Sequence, residues 1–219
     1  MTPRHKLAGV YAITDNKLIP DNKLLWAAEQ ALKGGVSVLQ YRNKADSNPG
    51  LTFADRQRQV AALSQLCHGY RAILLVNDDI DLCQAGNADG VHLGQGDTEL
   101  AEARRRLGFD AVIGVTCHNR DDLVVTAEQR GADYIALGRF FPSATKPGAP
   151  AASIADLIRI RQITRLPIVA IGGVSAENGS HLIAAGADML AAIHYLFSDE
   201  QIQHRAQTLS QLFTHTRSP

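Results

Sequence analysis

No stretch of this chain approaches the roughly 20 apolar residues that a membrane-crossing helix needs. Neither sign of charge is in excess, because 22 Lys and Arg balance 22 Asp and Glu. That balance removes any bulk attraction to nucleic acid or to an anionic membrane, so an anion site has to be built locally. Cysteine is scarce. Cys67, Cys83 and Cys117 form no CxxC pair and no zinc-binding spacing, and their number is odd. Buried free thiols in a reducing cytosol are the expectation. Residues 1–6 lead into no long apolar h-region, so no secretory signal is expected and the cytoplasm is the expected location. What the chain does have is an ordinary globular composition, 45% hydrophobic and 20% charged over 219 residues. That length can bury a large core.

Short β-rich runs at 10–14, 36–42, 72–77, 90–94, 112–116, 134–138, 167–173 and 189–194 alternate with helix-patterned segments. The runs are mostly continuous rather than alternating in hydrophobicity, which predicts parallel strands covered on both faces. The helical segments fall at 24–33, 51–67, 79–85, 100–107, 121–130, 154–163, 176–185 and 200–213. Glycine-bearing segments at 33–36, 130–133 and 185–188 close three of them. The pattern predicts an α/β fold, a (β/α)8 TIM barrel formed by residues 1–219 as one domain. Loops 43–50 and 147–152, rich in small, polar, Gly or Pro residues, are expected to be mobile.

In such a barrel the active site lies at the C-terminal ends of the strands. The second strand ends Gln40-Tyr41-Arg42-Asn43-Lys44. Alternate residues face the same way, so Gln40, Arg42 and Lys44 point together, either as a polyphosphate clamp or as a solvated strand exit. The third strand ends Asn77-Asp78-Asp79 and the fourth leads through His92 to Asp97. Two carboxylates from neighbouring strand ends suit a hard cation such as Mg2+ beside substrate phosphates. The competing reading makes Asp78 or Asp79, and Asp97, helix caps. Thr116 closes the fifth strand and is placed to hydrogen-bond a substrate. Cys117 and His118 diverge on an extended backbone, which argues against a thiol mechanism; His118 reads as a capping or packing residue. The sixth strand empties into a loop carrying Ser143, Thr145 and Lys146, and the seventh ends at Gly172-Gly173. Glycine lets backbone N–H groups approach an oxyanion, and the Ile193–His194 backbone closes the same corner.

Taken in this order over residues 9–197, these motifs resemble the thiamine-phosphate synthase (thiamine-phosphate pyrophosphorylase) family. The likeness rests on Gln40 to Lys44, Asn77-Asp78, the segment from Asp89 to Gln95 with Asp97, the loop from Leu137 to Lys146, and Ala170 to Gly173. The resemblance implies a soluble, Mg2+-dependent transferase acting on small molecules. It would join 4-amino-5-hydroxymethyl-2-methylpyrimidine diphosphate to hydroxyethylthiazole phosphate, with pyrophosphate leaving first. It further implies that Arg42, Lys44 and Lys146 hold the pyrophosphate with Asn77 assisting, and that Asp78 and Asp97 hold Mg2+. Gln40 and Thr116 would contact the pyrimidine, with His92 close to it. Ser143, Thr145, the Gly173 amide and the Ile193–His194 backbone would serve the thiazole phosphate. Three positions depart from the family pattern. Thr116, Ser143 and His194 stand where many relatives have serine, threonine and serine; the first two keep a hydroxyl, and at the third the implied contact is through backbone. The rival readings are a thiazole tautomerase, a non-catalytic sensor of a thiamine precursor, and a sugar-phosphate epimerase. The first needs no pyrophosphate clamp, the second is free to lose the carboxylates, and the third would lack the Gln-x-Arg-x-Lys segment.

Overall fold

The computed structural model describes residues 7–43, 50–96, 98–142 and 151–215. Eight parallel strands close into a barrel: β1 Gly9–Ile13, β2 Val36–Tyr41, β3 Ile73–Asn77, β4 Gly90–Leu93, β5 Val112–His118, β6 Tyr134–Leu137, β7 Ile168–Ile171 and β8 Met189–Ala192. Each pairs with the next, and β8 closes on β1 with Gly9 opposite Met189. The helices around it are α1 Leu24–Lys33, α2 Phe53–Gly69, α3 Ile80–Ala85, α4 Leu100–Leu107, α5 Asp121–Gln129, α6 Ile154–Ile163, α7 Ala176–Ala184, α8 His194–Phe197 and α9 Ile202–His215. The eight predicted helices are present to within two residues at each end. The single turn α8 was not predicted, since four residues carry no readable period. No helix among the described residues is long and apolar enough to cross a membrane.

Strand alternation divides the core into two layers. Tyr11, Val38, Ile73, Leu75, Val112, Tyr134, Val169 and Met189 form one cluster, inside the barrel. Leu39, Tyr41, Leu74 and Val76, one residue out of step, pack instead with helix residues such as Leu63, Val60 and Ala28. Both faces of every strand are thereby dry, which is why the runs read as continuously apolar. Helix starts follow local chemistry. Thr52 and Asp55 make a capping box on α2, Ser153 and Asp156 another on α6.

The echoed Ala-Asp pairs before strands have a common task at the base of the barrel. Asp133 Oδ2 accepts the Ile113 N–H at 2.8 Å and the Arg104 guanidinium at 2.6 Å. Asp188 Oδ2 takes the Ile168 N–H and Arg161 in the same way, and Asp89 takes the Leu74 N–H and His68. Each aspartate ties the start of the preceding strand to a helix side chain, an arginine at Asp133 and Asp188 and His68 at Asp89. Asp133→Ala strands the Ile113 N–H and removes one Arg104 acceptor. It is expected to cost about 2–3 kcal/mol, read as a lower urea midpoint at unchanged slope.

Candidate active site

The strand ends open into a cavity of about 560 Å3, lined among others by Gln40, Arg42, Asn77, His92, Thr116 and His194. Of the residues expected at the site, these six, Gly173 and Ile193 share this one cavity. Asp78 follows Asn77 at its rim. Lys44, Asp97, Ser143, Thr145 and Lys146 lie outside the described residues, as do most of the two loops at 43–50 and 147–152.

Arg42 continues the inward alternation of Val38 and Gln40. Its Nη1 donates to Asp15 Oδ2 at 2.8 Å, with side chains only 15% and 8% exposed. Its main chain is tied to the β1 exit, where Arg42 N–H donates to Thr14 Oγ1 at 2.9 Å. Its Nε is buried and has no acceptor among the described residues. A buried guanidinium N–H without an acceptor among the described residues is suited to an anion from outside. Asp15 was missed from sequence. Its signal was its place at the β1 exit, one step beyond the strand whose end was left unread.

The structure separates the acidic candidates. Asp79 is the α3 cap, its Oδ1 accepting the Leu82 N–H at 2.9 Å. Asp78 is not that cap; it stands at the β3 exit with φ 64 and accepts from Asn77 Nδ2 at 2.5 Å. The N-cap position of α4 is Glu99; Asp97 lies outside the described residues. His118, expected to cap or pack at the next helix, does not cap α5, whose N-cap is Arg120. It ends β5 after a register shift, has φ 55 and lines the cavity.

A hydrogen-bonded chain crosses the barrel beneath the cavity. Gln40 Nε2 donates to the Tyr11 hydroxyl at 2.7 Å, and that hydroxyl meets the Tyr134 hydroxyl at 2.8 Å. Tyr134 Oη lies 2.8 Å from His92 Nδ1, and His92 Nε2 lies 2.9 Å from Thr116 Oγ1. The His92 ring stacks on Tyr134 with centroids 5.6 Å apart. The two tyrosines gave no signal in the sequence beyond belonging to strands.

Across the mouth, the β6 exit is sewn to β7. Phe140 N–H donates to Ile171 O at 3.2 Å and Phe141 N–H to Gly172 O at 2.9 Å. A Cβ on Gly172 would come within 2.7 Å of the Arg139 Cα, and one on Gly173 within 2.5 Å of Pro142 O. The two glycines therefore serve first to let the β6 loop lie against β7, which also brings Arg139 into the cavity lining. Ser175 is the N-cap of α7 behind them, as expected. The cysteines are all buried, and burial pushes the Cys117 thiol up to about 12. A thiol so held is no nucleophile at neutral pH.

This geometry can hold an anion at Arg42 and read a polar ring between Gln40 and Thr116; among the described residues it offers no activated nucleophile. The family model for thiamine monophosphate synthase matches residues 10–196. A thiamine-phosphate synthase of Alcanivorax borkumensis is 49% identical over 99% of both chains. Another, from Marinobacter nauticus, is 46% identical over 94% of this chain and 90% of its own. Among solved structures, a thiamine phosphate pyrophosphorylase from Pyrococcus furiosus superposes with a TM-score of 0.86 at 27% identity, covering 97% of this chain and 98% of that one. The chain belongs to the thiamine monophosphate synthase family.

Proposed function

We propose that this transferase joins 4-amino-5-hydroxymethyl-2-methylpyrimidine diphosphate to hydroxyethylthiazole phosphate, giving thiamine phosphate and pyrophosphate in the cytoplasm. The observation that carries the reading is the buried Arg42 guanidinium, fixed by Asp15 and with its Nε lacking an acceptor among the described residues, at the wall of the cavity.

The C–O bond to the diphosphate breaks first, and the pair of electrons leaves with pyrophosphate. Negative charge thus grows on the leaving oxygen, where Arg42, Lys44 and Lys146 stabilise it and Asn77 assists. The thiazole nitrogen then attacks the exposed methylene carbon and forms the C–N bond. Gln40 and Thr116 hold the pyrimidine, with His92 beside it. Ser143, Thr145, the Gly173 amide and the Ile193–His194 backbone hold the thiazole phosphate. No protein nucleophile is needed, so positioning and electrostatics are the main tasks.

Asp78, which does not cap α3 because Asp79 does, and Asp97 would supply the carboxylate oxygens that Mg2+ prefers. When bound, that ion supplies further charge neutralisation at the leaving group.

Purified protein mixed with both substrates is expected to release thiamine phosphate and pyrophosphate together, and only with Mg2+ present. A folded protein that binds the thiazole phosphate yet forms neither product would move the reading to the tautomerase or the sensor.

A further inference from the structure

The five-membered chain beneath the cavity has a direction. Tyr11 and Tyr134 are 1% and 0% exposed, and burial raises both phenols far above their usual range, so both keep their protons. The Tyr11 hydroxyl accepts from Gln40 Nε2, and its other partner is the Tyr134 oxygen. Its own proton must therefore go to Tyr134, since a buried O–H without an acceptor is costly. Tyr134, now an acceptor, sends its proton to His92 Nδ1. That leaves the His92 ring proton on Nε2, donating to Thr116 Oγ1. The Thr116 proton is then left to point elsewhere. With Gln40 Nε2 on Tyr11, no other order satisfies both buried phenols.

The barrel is built around this pair. A Cβ on Gly114 would lie 1.9 Å from the Tyr134 ring, so β5 carries glycine where that ring crosses. The Tyr11 and Tyr134 rings meet edge to face at 6.0 Å, and their hydroxyls join strands whose residues lie 123 positions apart.

We propose that Tyr11 and Tyr134 are positioning residues whose coupled hydroxyls set, in one direction, both walls of the ring-binding site. Gln40, with one Nε2 hydrogen committed to Tyr11, is fixed in orientation and keeps its carbonyl oxygen, an acceptor, and the second Nε2 hydrogen for a ligand. Thr116 is fixed as a donor. The pair of walls is complementary to a ring that offers an N–H donor on one side and a bare nitrogen on the other, as a 4-aminopyrimidine does. A 4-oxopyrimidine, whose N–H and acceptor are exchanged, loses its match with the Gln40 carbonyl and the Thr116 hydroxyl proton. This substrate consequence rests on the function proposed above; the hydrogen-bond order does not.

Two measurements test it. In 15N-histidine-labelled protein at pH 8, with His92 assigned by loss of its signals in His92→Gln, the nitrogen shifts are expected to show the Nε2–H tautomer. Tyr134→Phe, which keeps the ring and removes the hydroxyl, should mix the two tautomers. In steady-state assays Tyr11→Phe and Tyr134→Phe should each raise KM for the pyrimidine diphosphate about tenfold, with KM for the thiazole phosphate little changed. A native His92 carrying its proton on Nδ1, or on both nitrogens, overturns the proposal even if neither variant folds. So do folded variants that melt lower yet keep both the wild-type tautomer and the wild-type KM, the behaviour of a merely structural pair. If the wild-type protein makes no thiamine phosphate, the function falls, and the His92 tautomer still decides the hydrogen-bond order.

Discussion

Arg42→Ala is expected to lower turnover by about 100- to 1,000-fold, the loss typical of removing one preorganised group from a site of developing negative charge. The guanidinium is desolvated and fixed before any ligand arrives, held at 2.8 Å by Asp15 and through its main chain by Thr14. It thus costs no reorganisation when the leaving group takes up charge. The same burial predicts a second effect. Removing Arg42 strands the Asp15 carboxylate, 8% exposed, at a cost of about 3–5 kcal/mol. Loss of activity in the single variant would then be mixed with loss of fold. Asp15→Asn combined with Arg42→Ala removes the stranded charge and should restore much of the thermal midpoint while leaving turnover low. Arg42→Lys keeps a charge but not the planar fork, and should fall between. Turnover within a few-fold of wild type in the stabilised double variant would remove Arg42 from the clamp.

Gly90→Ala should be the most damaging methyl that can be added to the barrel wall. A Cβ there would lie 1.8 Å from the Val112 carbonyl oxygen, which is backbone of the neighbouring strand and part of the β4–β5 register. No side-chain rotation relieves that overlap, so the two strands must part. Overpacking against movable side chains costs about 1–3 kcal/mol; against a paired strand we expect about 4 kcal/mol. For a chain of this size that lowers the thermal midpoint by about 8–16 °C. Gly69→Ala is the control, because a Cβ on Gly69 meets nothing within 4 Å. Its midpoint should stay the same or rise slightly. Equal midpoints for the two variants would mean that the β4–β5 spacing is soft.

The glycine at 90 shows where sequence reading stops. Its strand was legible, and so was its place in the segment from Asp89 to Gln95. The reason for glycine was not, because the obstructing atom belongs to residue 112.

The sequence by itself determined the barrel. Eight apolar runs, each about one strand long, alternate with helical periods, and that local pattern leaves few ways to cover both faces of every strand. It also determined that Gln40 and Arg42 share a face, since alternation along a strand is local geometry. Only the tertiary structure decided their partners. Asp15 reaches Arg42 from 27 residues away, and Tyr11 reaches Tyr134 across the closed barrel. It likewise assigned the α3 cap to Asp79 rather than Asp78, and turned His118 from the next helix into the cavity. Period and capping are short-range properties written within a few residues. Who meets whom inside a barrel is fixed by closure and register, which sum over every strand and appear in no single segment.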